Sequence, residues 1–205
     1  MSQLVVGADG LARCSWAVSA PDYLAYHDHE WGRRVDGDDA LFERLTLEAF
    51  QSGLSWLTIL RKRPAFREAF ADFDIATVAG YDDTDVERLM DDARIVRNRA
   101  KITAVIANAR AATALIAGGE TLDALLWGFA PDVPGPPPAT LDDIPATTPA
   151  SKAMARALKQ RGFRFVGPTT CYALMQAVGM VNDHVVDCAF RAPHARRVPQ
   201  RTPMS

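Results

Sequence analysis

An all-α protein is what this sequence predicts, on three observations. Apolar residues recur at helical spacing in segment after segment, no strand-like alternation is sustained, and capping residues stand at the ends of the periodic stretches. Asp38 or Asp39 can cap a helix carrying Leu41, Phe42, Leu45 and Ala49. Gly53 ends it before a second short helix through Trp56 and Leu60. Further helices are expected over residues 83–90, 97–115, 120–127, 151–160 and 169–178. Between them, residues 131–138 hold five prolines and one glycine, which excludes a helix interior and implies a surface loop.

With 205 residues, 48% hydrophobic and 23% charged, the chain has the composition of a soluble globular protein with a sizeable core. A single helical domain in two lobes is expected over 13–190, between a mobile extension (1–12) and a mobile, proline- and arginine-containing tail (191–205). The net charge of −2 argues against nucleic-acid binding by overall positive charge, so any such binding must come from local clusters. Two exist. Residues 94–110 and 152–164 each carry five basic side chains and no acid, and solvated helix faces are the competing explanation for both.

Cysteines at 14, 171 and 188 are too few and odd in number for the disulfide framework of a secreted domain. The N-terminus lacks the pattern of a signal peptide, and no later segment reaches membrane-spanning length. A cytoplasmic protein without membrane contact is expected, and a monomer.

Cys14 and His27 enclose twelve residues, and His184 and Cys188 enclose three. A thiolate and an imidazole from each end of the chain suit tetrahedral zinc with no position for water, which marks a structural site. His29 competes with His27, since either can reach a metal from a short loop. The 184/188 pair lies one turn apart if that segment is helical. Cys171, inside the apolar run CYALMQAV, reads as a core residue. A rival reading makes His27, His29 and Glu30 an open catalytic metal site with Glu30 as general base, but the HExxH arrangement is absent and the cysteines stay unexplained.

The run RGFRFVGPTTCYALMQAVGMVNDHVVDC has the shape of a helix, a glycine-bounded hairpin and a second helix. Phe163, Phe165 and Val166 can anchor the hairpin, Gly162 and Gly167 bound it, and Pro168 or Thr169 can start the next helix with free N–H groups directed at a phosphate. Such a hairpin grips a DNA backbone without reading sequence.

That run, with AYHDHEWG at 25–32 and LEAFQSGLSW at 47–56, closely resembles the type I 3-methyladenine-DNA glycosylases over about residues 13–188. The resemblance implies the helix-hairpin-helix glycosylase fold, with the hairpin near 151–180. It implies one structural zinc bound by Cys14, His27, His184 and Cys188, with His29 outside the set. It also implies flipping and hydrolytic excision of 3-methyladenine from alkylated double-stranded DNA. A non-catalytic, zinc-stabilised DNA-binding module is the alternative. The wider superfamily carries a catalytic aspartate in a VDxHV context, where this chain has Asn182, with Asp183 one position late.

Trp16, Tyr26, Trp31 and Trp56 are unusually dense for a chain with 8% aromatics. Stacking faces are what a flipped purine cation needs. By similarity, Tyr26 and Trp56 sandwich the base and Trp16 and Trp31 complete the pocket, whereas Trp127 is a core residue. Glu48 sits in an otherwise apolar segment, and a buried carboxylate needs hydrogen-bond partners or a cation. By similarity it binds the base and serves as the catalytic group.

Overall fold

The helical periodicity resolves into nine α-helices among residues 3–191, the part of the chain described by the computed structural model. They are α1 (Pro21–His29), α2 (Asp38–Gln51), α3 (Trp56–Ala69), α4 (Ile75–Ala79), α5 (Asp83–Asp91), α6 (Arg99–Ala117), α7 (Leu122–Trp127), α8 (Pro149–Gln160) and α9 (Pro168–Ala177). Every helix expected from the pattern is present. Two were missed, α1 and α4, the first because its polar, weakly amphipathic run gives no apolar stripe and the second because it has only five residues. The expected second helix runs on to Ala69, past an internal proline at 64.

Helix α2 sits at the centre, packed against α3, α4, α6, α7 and α9. Its residues 45–50 are buried without a break, which explains how a carboxylate at position 48 comes to lie inside the protein. Gly37, not an aspartate, occupies the N-cap of α2. Asp38 and Asp39 serve other helices: Asp39 Oδ1 accepts from the amide of Ile75 at 3.0 Å and Asp38 Oδ1 from that of Asp123 at 2.8 Å. Two orphan donors at the starts of α4 and α7 are thereby satisfied from α2.

Helix α6, with 19 residues, does reach membrane-spanning length by composition, contrary to the expectation from sequence. Its Ile102, Val105, Ile106, Ala109 and Ala112 are buried in the main core instead. Lys101 on the same helix is also buried, and its ammonium donates to the carbonyls of Phe50 at 2.8 Å and Ser52 at 2.6 Å. It thus pins the end of α2, where a positive charge also suits the helix dipole.

Residues 4–6, expected within a mobile extension, form a strand, β1 (Leu4–Val6), antiparallel to β2 (Ala12–Cys14). Strands of three residues are too short to announce themselves by alternation. Arg13 anchors the hairpin: buried, it bonds both Asp9 and Asp28 and lies 4.8 Å from the Phe190 ring. Residues 1–2 and 192–205, the bulk of the expected tail, lie outside the described residues.

The segment after α1 meets the end of α9 at Gly179. A Cβ there would stand 2.8 Å from the carbonyl oxygen of Gly32 and 2.9 Å from the carbonyl carbon of Arg33, and the backbone is left-handed with φ +77°. The amides of Gly32 and Val35 bond the carbonyls of Gln176 and Val178 across the same contact. Gly179→Ala is therefore expected to destabilise the protein by about 2–4 kcal/mol, from the left-handed penalty plus forced separation of two backbones. Urea titration checks this; a loss under about 0.5 kcal/mol, the range of an ordinary surface change, would contradict the packing described.

Candidate base pocket and metal centre

The sulfur and nitrogen atoms of Cys14, His27, His184 and Cys188 all lie within 4.8 Å of one another, and all four residues are buried. Cys14 ends β2, His27 sits on α1, and His184 and Cys188 follow α9 in an irregular turn, so the condition for spacing that pair by one helical turn is not met. His184 Nδ1 is 3.1 Å from His27 Nε2 and 3.4 Å from Cys188 Sγ, which is 3.5 Å from His27 Nε2. Four ligands at about 2.0–2.3 Å from one ion would stand roughly 3.3–3.8 Å apart, so the donor set fits a tetrahedral cation.

The opposite ring nitrogens are also engaged. His27 Nδ1 is 2.8 Å from Asp28 Oδ1, which Arg13 holds in turn, and His184 Nε2 is 3.3 Å from the Trp31 carbonyl oxygen. Such outer partners orient metal-bound imidazoles and fix their tautomer. His29 is exposed at the end of α1, outside the cluster. Glu30 is gripped by Arg63 through both oxygens, at 2.5 and 2.8 Å, and by Arg44 at 3.2 Å, so it is no free base and the open-site reading has no geometric support.

Beside this cluster opens a cavity of about 340 Å³, lined by Trp16, Tyr23, Tyr26, Trp31, Glu48, Gln51, Trp56 and Gln176 among others. All five residues assigned to base binding from sequence reach it. Trp31 stacks on His27 at 6.3 Å and 20° and meets the edge of His184 at 4.7 Å, while Trp16 lies edge-on to His27 at 5.1 Å. The aromatic wall thus rests on the imidazoles of the cysteine–histidine cluster. Tyr26 and Trp56 differ from expectation: their centroids are 5.4 Å apart at 48°. A ring between them needs two contacts of about 3.5 Å, so they form a tilted wall here and not an open slot.

Several residues that place this pocket had escaped notice. Tyr23 accepts at its hydroxyl from the Leu57 amide at 2.9 Å, capping the start of α3, and Ser55 caps Thr58, so Trp56 stands on a fixed first turn. Trp56 Nε1 is buried without a partner among the described residues, which leaves a donor for a ligand. Gln176 donates to Asp183 Oδ2 at 2.8 Å, and Tyr172 donates to the same oxygen at 2.6 Å. Asp183 and Asn182 line a different, larger cleft of about 1110 Å³ beneath the proline loop.

Glu48 is buried and faces no hydrogen-bond donor among the described residues. Burial pushes its carboxyl up to about 8, opposed only by the charge of Arg44. Burial thus favours the protonated acid, and a nearby positive charge favours the carboxylate.

In the hairpin, Phe163 and Val166 are buried as expected, but Phe165 is exposed with φ +54° and anchors nothing. The missing clamp is Asn108 of α6: its Oδ1 accepts from the Arg164 amide at 2.7 Å and its Nδ2 donates to the Arg164 carbonyl at 3.1 Å. Gly162 takes φ +89°, and a Cβ on Gly167, the N-cap of α9, would meet no protein atom within 4 Å. The two basic clusters divide. In the first, Arg94 and Arg99 are paired with acids, Arg110 bonds carbonyls and Lys101 is buried. In the second, Lys152, Arg156, Lys159 and Arg164 are exposed around the hairpin.

A helical scaffold that combines a clamped hairpin, an aromatic pocket over a buried carboxylate and a closed cysteine–histidine cluster is that of a helix-hairpin-helix DNA glycosylase. Residues 16–192 match the profile of the methyladenine glycosylase family. The chain is 49% identical over 179 residues to DNA-3-methyladenine glycosylase 1 of Escherichia coli (strain K12), covering 87% of this chain and 96% of that one. It is 42% identical over 182 residues to the DNA-3-methyladenine glycosylase of Haemophilus influenzae, covering 86% and 96%. A solved 3-methyladenine DNA glycosylase I superposes with a TM-score of 0.83 at 48% identity, over 86% of this chain and 98% of that one. The Staphylococcus aureus enzyme, solved for its recognition of 3-methyladenine, gives 0.84 at 34% identity, over 89% and 98%. This chain belongs to the methyladenine glycosylase family.

Proposed function

We propose that the protein is a monofunctional DNA-3-methyladenine glycosylase that flips the lesion out of alkylated duplex DNA and hydrolyses its N-glycosyl bond. The observation that carries this is Glu48, a buried carboxylate without a protein donor in a cavity walled by Trp16, Tyr26, Trp31 and Trp56. Its relatives carry the same activity in their names.

An adenine methylated at N3 is cationic, and unstacking is least costly for a damaged base. Once inside, the cation draws Glu48 into its ionised form, and the carboxylate accepts from the adenine amino group while the aromatic faces stack on the ring. Cation–π attraction is worth roughly 0.5–2 kcal/mol here. Cleavage breaks the C1′–N9 bond, its electron pair neutralises the departing base, and water adds to C1′ with loss of a proton. Because the base leaves as a neutral molecule, strong acid catalysis is unnecessary, which agrees with asparagine at position 182.

The DNA backbone is held at Gly162, Gly167 and Thr169: the amides of Thr169 and Thr170 precede the first bond inside α9, from Cys171 to Gly167. The exposed cations around the hairpin supply the local charge that the chain as a whole lacks. Cys14, His27, His184 and Cys188 hold one zinc ion, which when bound serves as a staple and takes no part in the chemistry. Residues 13–190 act as one domain and a monomer, and three buried cysteines outside any disulfide suit a reducing, cytoplasmic setting.

Tryptophan fluorescence tests the pocket. Free 3-methyladenine is expected to quench it saturably, and Trp56→Ala to weaken binding of this neutral base by about 30-fold, the equivalent of roughly 2 kcal/mol of base–aromatic stacking. Absence of quenching in the folded protein would contradict the assignment.

A further inference from the structure

Glu30, Arg44, Arg63 and Glu48 are the ionisable groups whose fields act on the buried Tyr26 hydroxyl, and of the four Glu48 lines the pocket. Glu30 is bonded bidentately by Arg63 and receives one further bond, at 3.2 Å, from Arg44 Nη2. Arg44 stands one helical turn before Glu48 on α2, so the two side chains share a face. Its other terminal nitrogen, Nη1, is buried and has no partner among the described residues. Two arginines for one paired carboxylate leave one positive charge over, and Glu48 is the buried acid whose ionised form that charge favours.

Resting on the reading of Glu48 as the base-binding carboxylate, we propose that Arg44 is a positioning residue, which sets the protonation state of Glu48 and so the pH range in which the pocket holds a cationic base. Removing Arg44 leaves Glu30 neutralised by Arg63 and leaves Glu48 facing no cation. The other charged groups nearby are committed elsewhere. Lys101 of α6 bonds the carbonyls of residues 50 and 52, Asp123 of α7 bonds the Gly37 amide, and Tyr172 of α9 is directed to Asp183. Burial holds Glu48 up, and Arg44 is the one charge that draws it down.

The test is the pH profile of kcat/KM for release of 3-methyladenine from methylated duplex DNA, which reports groups of the free enzyme. In Arg44→Met the acid limb is expected to move up by about one pH unit, the effect of one nearby opposite charge. Excision below the limb then falls about tenfold and converges on the parent rate at the alkaline plateau. Arg44→Lys is expected to keep the parent limb. Arg44→Gln, which retains a donor for Glu30 without the charge, must shift it as methionine does, and serves where the methionine variant folds poorly. A limb that stays in place in both uncharged variants overturns the proposal. Glu48→Gln separates the two levels: if the limb survives there, Glu48 is not the titrating group and the reading of the pocket falls with it. If the limb vanishes there yet is unmoved in the Arg44 variants, only the role of Arg44 falls.

Discussion

Glu48→Gln is expected to lower 3-methyladenine excision by roughly 100-fold or more while making the folded protein more stable at alkaline pH. The loss follows from removing the charge that meets a cationic base, at the scale usual for a single well-placed polar group in an active site. The gain follows from linkage. The folded carboxyl titrates near 8 and the unfolded one near 4.5, so the folded state binds the extra proton between those values. Stability is full below the unfolded value and declines as pH rises through the folded one. Glutamine removes that decline, which is worth about 5 kcal/mol above pH 8 for a shift from 4.5 to about 8. Thermal melts at acid and alkaline pH, beside single-turnover excision, check both halves. A variant that loses activity and stability together would mark Glu48 as a structural residue.

Cys188→Ala, or removal of metal by a chelator, is expected to destabilise the protein by about 3 kcal/mol or more, lowering the Tm by about 6–12 °C for a chain of this length. The cluster joins β2, α1 and the segment after α9, which have little other core in common: a small satellite core of Cys14, Val185 and Cys188 links the first and last, and the Arg13–Asp28 ion pair links β2 to α1. Pocket function is expected to fail with it, because Trp16 and Trp31 lean on His27 and His184. Scanning calorimetry with and without chelator is the measurement. Loss of excision with an unchanged Tm would point to a catalytic metal instead.

Much of this was legible in the sequence because the informative residues are local or chemically rare. Helix α2 announced itself by apolar period, and the four residues of the candidate metal cluster stood out as a small inventory of cysteines and histidines at both ends. Tyr26, Trp56 and Glu48 were placed by the resemblance of short motifs. What escaped is set by contacts between distant segments. Asn108 lies 56 residues from the hairpin it clamps, and Tyr23 lies 34 residues from the α3 amide it caps. The misreading of Phe165 has the same origin: apolar spacing names a candidate anchor, but a left-handed backbone turned it to solvent. Asp38 and Asp39 look like caps of their own helix and cap two others, since a carboxylate near one helix start can serve any unsatisfied amide within reach.

The most direct test of the central claim is chromatography of the bases released when the purified, metal-loaded protein meets methylated duplex DNA. Free 3-methyladenine is the expected product. DNA binding with no released base from folded protein would contradict it and leave a zinc-stabilised binding module.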